Sequence, residues 1–204
     1  MISYNLRIKL KSGLEKGNTV GSLSEKQKSL IEGCLLGDGY MRCKTNAHLQ
    51  ITHSINQKDY VDWKYLNLSE FVLTPPKSYK GNGKRIGYRF FTRSLPLFTS
   101  FYYRFYKDNK IIPEDIKLTD LTLAVWYMDD GSKSGQSCYL NTQKFIFEDQ
   151  EKLINILHGK YNLRANRDRD KQYFRLRFNF EDSRKFVRII EPYVLPSMRY
   201  KLPI

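Results

Sequence analysis

Cysteine is scarce in this 204-residue chain. Cys34, Cys43 and Cys138 are odd in number, widely spaced and form no CxxC pair, which excludes a disulfide framework and suits a reducing compartment. Cys43 with His48 and His53 does not make a zinc set, because on an extended segment His48 and His53 point to opposite faces. Long apolar runs are also missing. None reaches membrane-spanning length, and the basic first 21 residues lack the apolar region of a signal peptide. No long amphipathic basic helix is legible, so a membrane surface is not the expected partner.

Acid is the other shortage. Twenty-one Asp and Glu face 35 Lys and Arg, leaving a formal charge of +14 and a pI near 9.6. The cations cluster and interleave with aromatics, a pattern that points to nucleic acid. What is abundant, Lys, Asn, Ile, Tyr and Phe, is what an A/T-rich genome encodes. An organelle (mitochondrion or chloroplast) or an A/T-rich microbe is the expected source. In residues 1–21, a basic extension, Leu6, Ile8 and Leu10 alternate with Arg7, Lys9 and Lys11, so a short strand or loose arm is expected.

Two stretches of the chain repeat each other. Leu30–Gly39 and Leu123–Gly131 are apolar for about two helical turns and then end in Asp-Gly. A carboxylate at a helix C-terminus meets the negative end of the dipole, at a cost of about 0.3–1 kcal/mol. Two such ends side by side need a compensating cation, and a divalent metal is the expected one. Gly33 and Gly37 lie on one helical face, so the two helices are expected to approach closely and bring Asp38 and Asp130 together.

The duplication extends further. Asp38 and Asp130 are 92 positions apart, Lys110 and Lys201 are 91 apart, and Leu49-Gln50 and Leu140-Asn141 are again 91 apart. Each half reads helix, two strands, helix, two strands, helix. In the first, Ser22 or Ser24 caps a helix with Glu25 or Gln27 three residues on, and Gly39 ends it. Strands are expected at Tyr40–Lys44 and His48–Ser54, a helix at Lys58–Leu68, a hairpin across Ser78–Arg93 and an aromatic core helix at Leu97–Tyr106. In the second, Thr119 caps a helix through Met128. Strands follow near Ser137–Lys144, a helix near Glu148–His158, a hairpin across Leu163–Phe180 and a helix at Arg184–Ile190. The fold class is α+β, two pseudo-twofold αββαββα units (22–113 and 114–204) with antiparallel, saddle-shaped sheets and two packed central helices.

In Tyr173–Phe180 the residues Phe174, Leu176, Phe178 and Phe180 share one face, and Tyr173, Arg175, Arg177 and Asn179 the other. A ribbon of that kind fits a DNA major groove. The expected DNA-contacting residues are Arg42, Lys44, Gln50, Thr52, Lys80, Lys84, Arg85, Arg89 and Arg93 in the first half. In the second they are Asn141, Arg164, Arg167, Arg169, Lys171, Tyr173, Arg175 and Arg177.

With both motifs in hand, the sequence from about Leu23 to Ile204 resembles the LAGLIDADG homing endonucleases, in the branch with two motifs in one chain. Gly33, Asp38 and Gly39 match the first motif, and Ala124, Asp130 and Gly131 the second. The resemblance implies that Asp38 and Asp130 bind divalent metal, Mg²⁺ with Mn²⁺ as a substitute. Gly37 and Asp129 stand beside them and are counted with the metal set. Aligning the terminal glycines pairs Asp129 with side-chain-free Gly37, so Asp129 is expected to close the helix end or orient its neighbours. Lys110 and Lys201 look like the family's basic pair. Gln143 is the best match to its water-organising strand residue, and Thr52, at the equivalent place, departs from it. The implied activity is staggered cleavage of double-stranded DNA by an intron-encoded monomer. The alternatives are an RNA maturase acting on intron RNA and a non-catalytic DNA-binding regulator.

Overall fold

The computed structural model describes residues 22–203. The extension 1–21, with its alternating segment, lies outside the described residues. Helix α1, Glu25–Leu36, starts in a capping box: Gln27 N–H donates to Ser24 Oγ at 3.2 Å and Ser24 N–H to Gln27 Oε1 at 2.9 Å. Helix α4, Asp120–Asp130, is capped by Thr119, whose Oγ1 accepts from Thr122 N–H at 3.0 Å. Both helices are buried around their whole circumference, Ser29–Leu36 in one and Leu121–Asp129 in the other, as expected of helices that pack on each other and are covered on both flanks. Gly33 sits at their crossing. A Cβ there would lie 2.7 Å from Val125 Cβ and 2.8 Å from Thr122 O, so only glycine permits this separation.

Each half continues into its own sheet. Strands β1 (Tyr40–Cys43), β2 (Ala47–Ser54), β3 (Lys77–Lys80) and β4 (Ile86–Phe91) form an antiparallel sheet in the order β1-β2-β4-β3. Strands β5 (Gly131–Ser134), β6 (Ser137–Leu140), β7 (Ala165–Asp170) and β8 (Tyr173–Phe178) repeat that order as β5-β6-β8-β7. Helices α2 (Lys58–Leu68) and α3 (Pro96–Phe105) cover the inner face of the first sheet. Helices α5 (Phe147–Tyr161) and α6 (Phe180–Ile190) cover the second. In β2 the alternation is strict: Ala47, Leu49, Ile51 and His53 face the core, and His48, Gln50 and Thr52 face out. Phe98, Phe101 and Phe105 of α3 are core, as their helical spacing predicts.

The second half departs from expectation in three places. Its first strand begins at Gly131, directly after the helix, and β6 ends at Leu140, so Gln143 lies in a turn and not on a strand. Asn179 is not a strand residue but the cap of α6, with Oδ1 accepting from Asp182 N–H at 2.8 Å. Phe180 opens that helix and is exposed.

Candidate functional site

The two motif helices deliver Asp38 and Asp130 to one place, each just before the first strand of its own sheet. Asp38 is half-exposed, and its carboxylate is close enough to Asp130 for the two charges to act on each other. Burial, then the negative charges of Asp130 and Asp129, push the Asp38 carboxyl up to about 6.

The helix ends themselves are neutralised by protein. Lys110 Nζ donates to Gly37 O at 3.2 Å and Gly39 O at 2.9 Å. Lys201 Nζ donates to Met128 O at 2.6 Å and Asp129 O at 2.7 Å. Each half thus brings its own lysine to the carbonyls of its own motif helix, where a cation is favoured by the dipole. Lysine therefore joins the expected divalent metal as a compensating cation at these ends. Burial, followed by the nearby Lys144 ammonium, lowers Lys110 to about 7, and burial lowers Lys201 despite the aspartates around it.

Asp129 is turned away from this opening. Its carboxylate is fully buried; Oδ1 accepts from Lys64 Nζ at 2.6 Å and from Tyr60 Oη at 2.7 Å, and Oδ2 accepts from the Asp38 N–H at 3.3 Å. His53 stands 3.5 Å from Oδ1. Burial opposes its ionisation, but Lys64 and His53 outweigh that and hold Asp129 below the ordinary carboxylate range. Burial and the Lys64 charge bring His53 down to about 4, so it is neutral at pH 7. Gly37 is glycine for the same reason: a Cβ there would collide with Asp129 Cβ. Both carboxylate oxygens of Asp129 accept from protein donors, and Gly37 O accepts from Lys110 and Lys144.

Around this centre the outward faces of the sheets carry much of the expected DNA-contact set. Pairing places Arg42, Gln50, Thr52 and Arg89 on one face of the first sheet, with Tyr79 and Phe91. Arg89 stacks on Tyr79, 4.1 Å from the ring centroid. A groove of about 1000 Å³ runs from Asp38 past Thr52 and Gly87 to Lys84 and Arg85 at the hairpin tip. Lys80 pairs with Ile86 on the other face, Lys44 lies in the β1–β2 turn, and Arg93 follows β4. In the second sheet Tyr173, Arg175 and Arg177 share a face with Tyr139, and Arg175 stacks on it at 4.1 Å. Asn141 lies just past β6, its N–H donating to Asp130 O at 3.3 Å. Lys171 is in the β7–β8 turn.

Three cations of the second half point elsewhere. Arg167 lies on the helix side of its strand, bonded to Glu151 Oε2 at 2.5 Å and stacked on Phe147. Arg169 shares that side by alternation and donates to Lys171 O at 2.9 Å. Arg164 sits 3.5 Å from Asp182 at the start of α6. Gln143 donates to Asp170 at 2.8 Å, at the far end of β7.

A family model described as the LAGLIDADG DNA endonuclease family matches residues 28–186. This chain belongs to that family. The LAGLIDADG chain is 33% identical over 198 residues to the probable intron-encoded endonuclease 1 of Wickerhamomyces canadensis, covering 89% of this chain and 85% of that protein. It is 28% identical to the cytochrome b mRNA maturase bI2 of Saccharomyces cerevisiae, covering 98% of this chain but only 52% of the maturase. The solved structure of the homing endonuclease I-WcaI bound to its DNA recognition sequence matches with a TM-score of 0.83 at 29% identity, over 94% of this chain and 96% of that one.

Four residues of this LAGLIDADG centre are not marked by the motifs or the repeat: His53, Tyr60, Lys64 and Lys144. Lys64 was legible in principle, since it occupies the buried stripe of α2 with Tyr60, Val61 and Leu68, and a charge in such a stripe requires a partner. His53 follows Leu49 and Ile51 on the inward face of β2 and carries the same signal. Lys144 Nζ reaches Asp130 Oδ2 at 2.7 Å and Gly37 O at 2.8 Å, and nothing local in the sequence marks it.

Proposed function

We propose that this chain is a site-specific endonuclease for double-stranded DNA, cutting both strands in a divalent-metal-dependent hydrolysis. The observation that carries the reading is the pairing of Asp38 with Asp130 between two aromatic- and arginine-bearing sheet faces. The donor set fits a hard cation such as Mg²⁺, with Mn²⁺ as substitute: two adjacent carboxylates, open to solvent and repelling each other. Among the described residues no cluster of three or more His, Cys, Asp or Glu completes a site. Water and phosphate oxygens would supply the other ligands. When bound, such a metal polarises the scissile phosphate and lowers the pKa of the attacking water.

The chain's own residues do the rest. Arg42, Arg89, Arg175 and Arg177 would contact phosphates or base edges along the two sheets, with Lys84 and Arg85 at one flank. Lys110, lowered to about 7, can hold or release a proton at Nζ beside the reacting phosphate. Asp129, through its bond to the Asp38 N–H, fixes the backbone that carries the first aspartate. With residues 22–113 and 114–204 as two subdomains of one polypeptide, one chain would serve one asymmetric site as a monomer. Likeness to an intron-encoded endonuclease supports an intron-encoded, organellar origin.

Likeness to the maturase over almost the whole chain favours a second reading, assistance of intron RNA splicing on the same scaffold. A cleavage assay on an intronless copy of the host gene separates the two. Linear product with Mg²⁺ and none with EDTA is expected. Intact DNA in both, with splicing accelerated in vitro, would favour the maturase.

A further inference from the structure

Lys144 is the cation of the second aspartate in a way that no group matches for the first. It stands in the turn Asn141–Ile146 between β6 and α5, in the second half, yet its ammonium bridges Asp130 Oδ2 of its own half and Gly37 O of the other. Among the described residues no lysine or arginine pairs with the Asp38 carboxylate within 4 Å; its neighbour is neutral His53, at 3.7 Å, and that ring is locked into the buried Asp129–Lys64 cluster. The turn under Lys144 is rigid. Phe145 N–H donates to Thr142 O at 2.9 Å, and buried Gln150 donates Nε2 to Thr142 O, Phe145 O and Phe174 O at 3.1, 3.3 and 3.0 Å. The side chain above it is 35% exposed, so its ammonium can exchange these partners for water.

We infer that Lys144 is a displaceable counter-ion: it holds Asp130 Oδ2 and must leave that oxygen for a divalent cation to bind there. The released ammonium stays tethered by its rigid turn at the rim of the site. The two strand-cleaving half-sites are therefore unequal, because only the Asp130 side carries a cation that competes with metal. This rests on the endonuclease reading for the presence of metal at Asp130.

The test uses the full chain without DNA and Ca²⁺ as the probe, read by thermal unfolding in EDTA and across a Ca²⁺ titration. Lys144→Met is expected to melt lower than the wild type in EDTA, since the aspartates lose a counter-charge. Its half-saturating Ca²⁺ concentration should fall by about fivefold, the size of a part-exposed ion pair. Lys144→Arg keeps the charge and should stay close to the wild type. Equal Ca²⁺ response in Lys144→Met and wild type, zero response included, would overturn the inference. Asp130→Asn marks the other failure: if it keeps the wild-type Ca²⁺ response, metal does not sit at Asp130 and the endonuclease reading is what falls.

Discussion

Asp129 of the second half and Lys64 of the first meet at 2.6 Å with neither side chain exposed to solvent. The pair crosses from one repeat to the other directly beneath the two aspartates that face the opening. It is absent from the other side of the pseudo-twofold, where Gly37 stands opposite Asp129. The duplicated protein thus holds its symmetric helix pair with an asymmetric polar lock.

That lock should be sensitive to losing either member. Lys64→Met leaves Asp129 buried and unpaired, and is expected to cost about 3–5 kcal/mol. Urea unfolding of the variant checks this; a loss under about 1 kcal/mol would mean that Tyr60 and His53 suffice to hold the carboxylate.

The aspartates should separate by role. Asp38→Asn and Asp130→Asn are expected to abolish metal-dependent cleavage of a plasmid target while leaving DNA binding in Ca²⁺ largely intact. Asp129→Asn should lower stability and retain part of the activity per folded molecule. A dead but stable Asp129→Asn beside a cutting Asp130→Asn would reverse the assignment.

Removing the Asp38 charge should stabilise the metal-free protein. A carboxyl raised to about 6 in the folded state contributes stability below its ordinary value near 3.8, and that contribution is lost as pH rises through about 6. In EDTA at pH 7–8, Asp38→Asn should therefore melt above the wild type, and the gap should close as pH falls toward 4. A gap independent of pH would show that packing, not charge, is responsible.

The sheet faces make a paired prediction. Arg175→Ala and Arg177→Ala should weaken DNA binding and reduce its salt dependence by about 0.9 in log–log slope for each phosphate no longer neutralised. Arg167→Ala, which breaks a bond to Glu151 on the helix side, should leave DNA affinity unchanged. Filter binding across a salt series distinguishes them; an effect of Arg167 equal to that of Arg175 would reverse the face assignment.

Close approach of the motif helices can be probed at Gly33. Gly33→Ala inserts a methyl 2.7 Å from Val125 Cβ and should cost about 1–3 kcal/mol. Combining it with Val125→Gly, which removes both the Cβ and the Cγ1 at 2.9 Å, should relieve part of the clash. Full recovery is not expected, because Thr122 O lies 2.8 Å from the same point.

Local chemistry was enough to determine the repeat, the element order, the Thr119 cap and the two terminal aspartates, and it narrowed the first cap to Ser22 or Ser24. Capping boxes, period-two strands such as β2 and Asp-Gly helix stops act over a few residues, and each is written in a few consecutive positions. Arg167 shows the limit: Arg167, Arg175 and Arg177 are equally basic, and only strand register decides that Arg167 faces a helix while the other two face out. The second-half strands show it again, since β6 stops at Leu140 where tertiary pairing ends, which moves Gln143 off the sheet. The centre itself was decided by distance along the chain. Lys64 reaches Asp129 across 65 residues, and Lys144 reaches Gly37 across 107. Such contacts are made only when two halves pack, because burial makes an unpaired charge costly and selects the partner that the fold brings near.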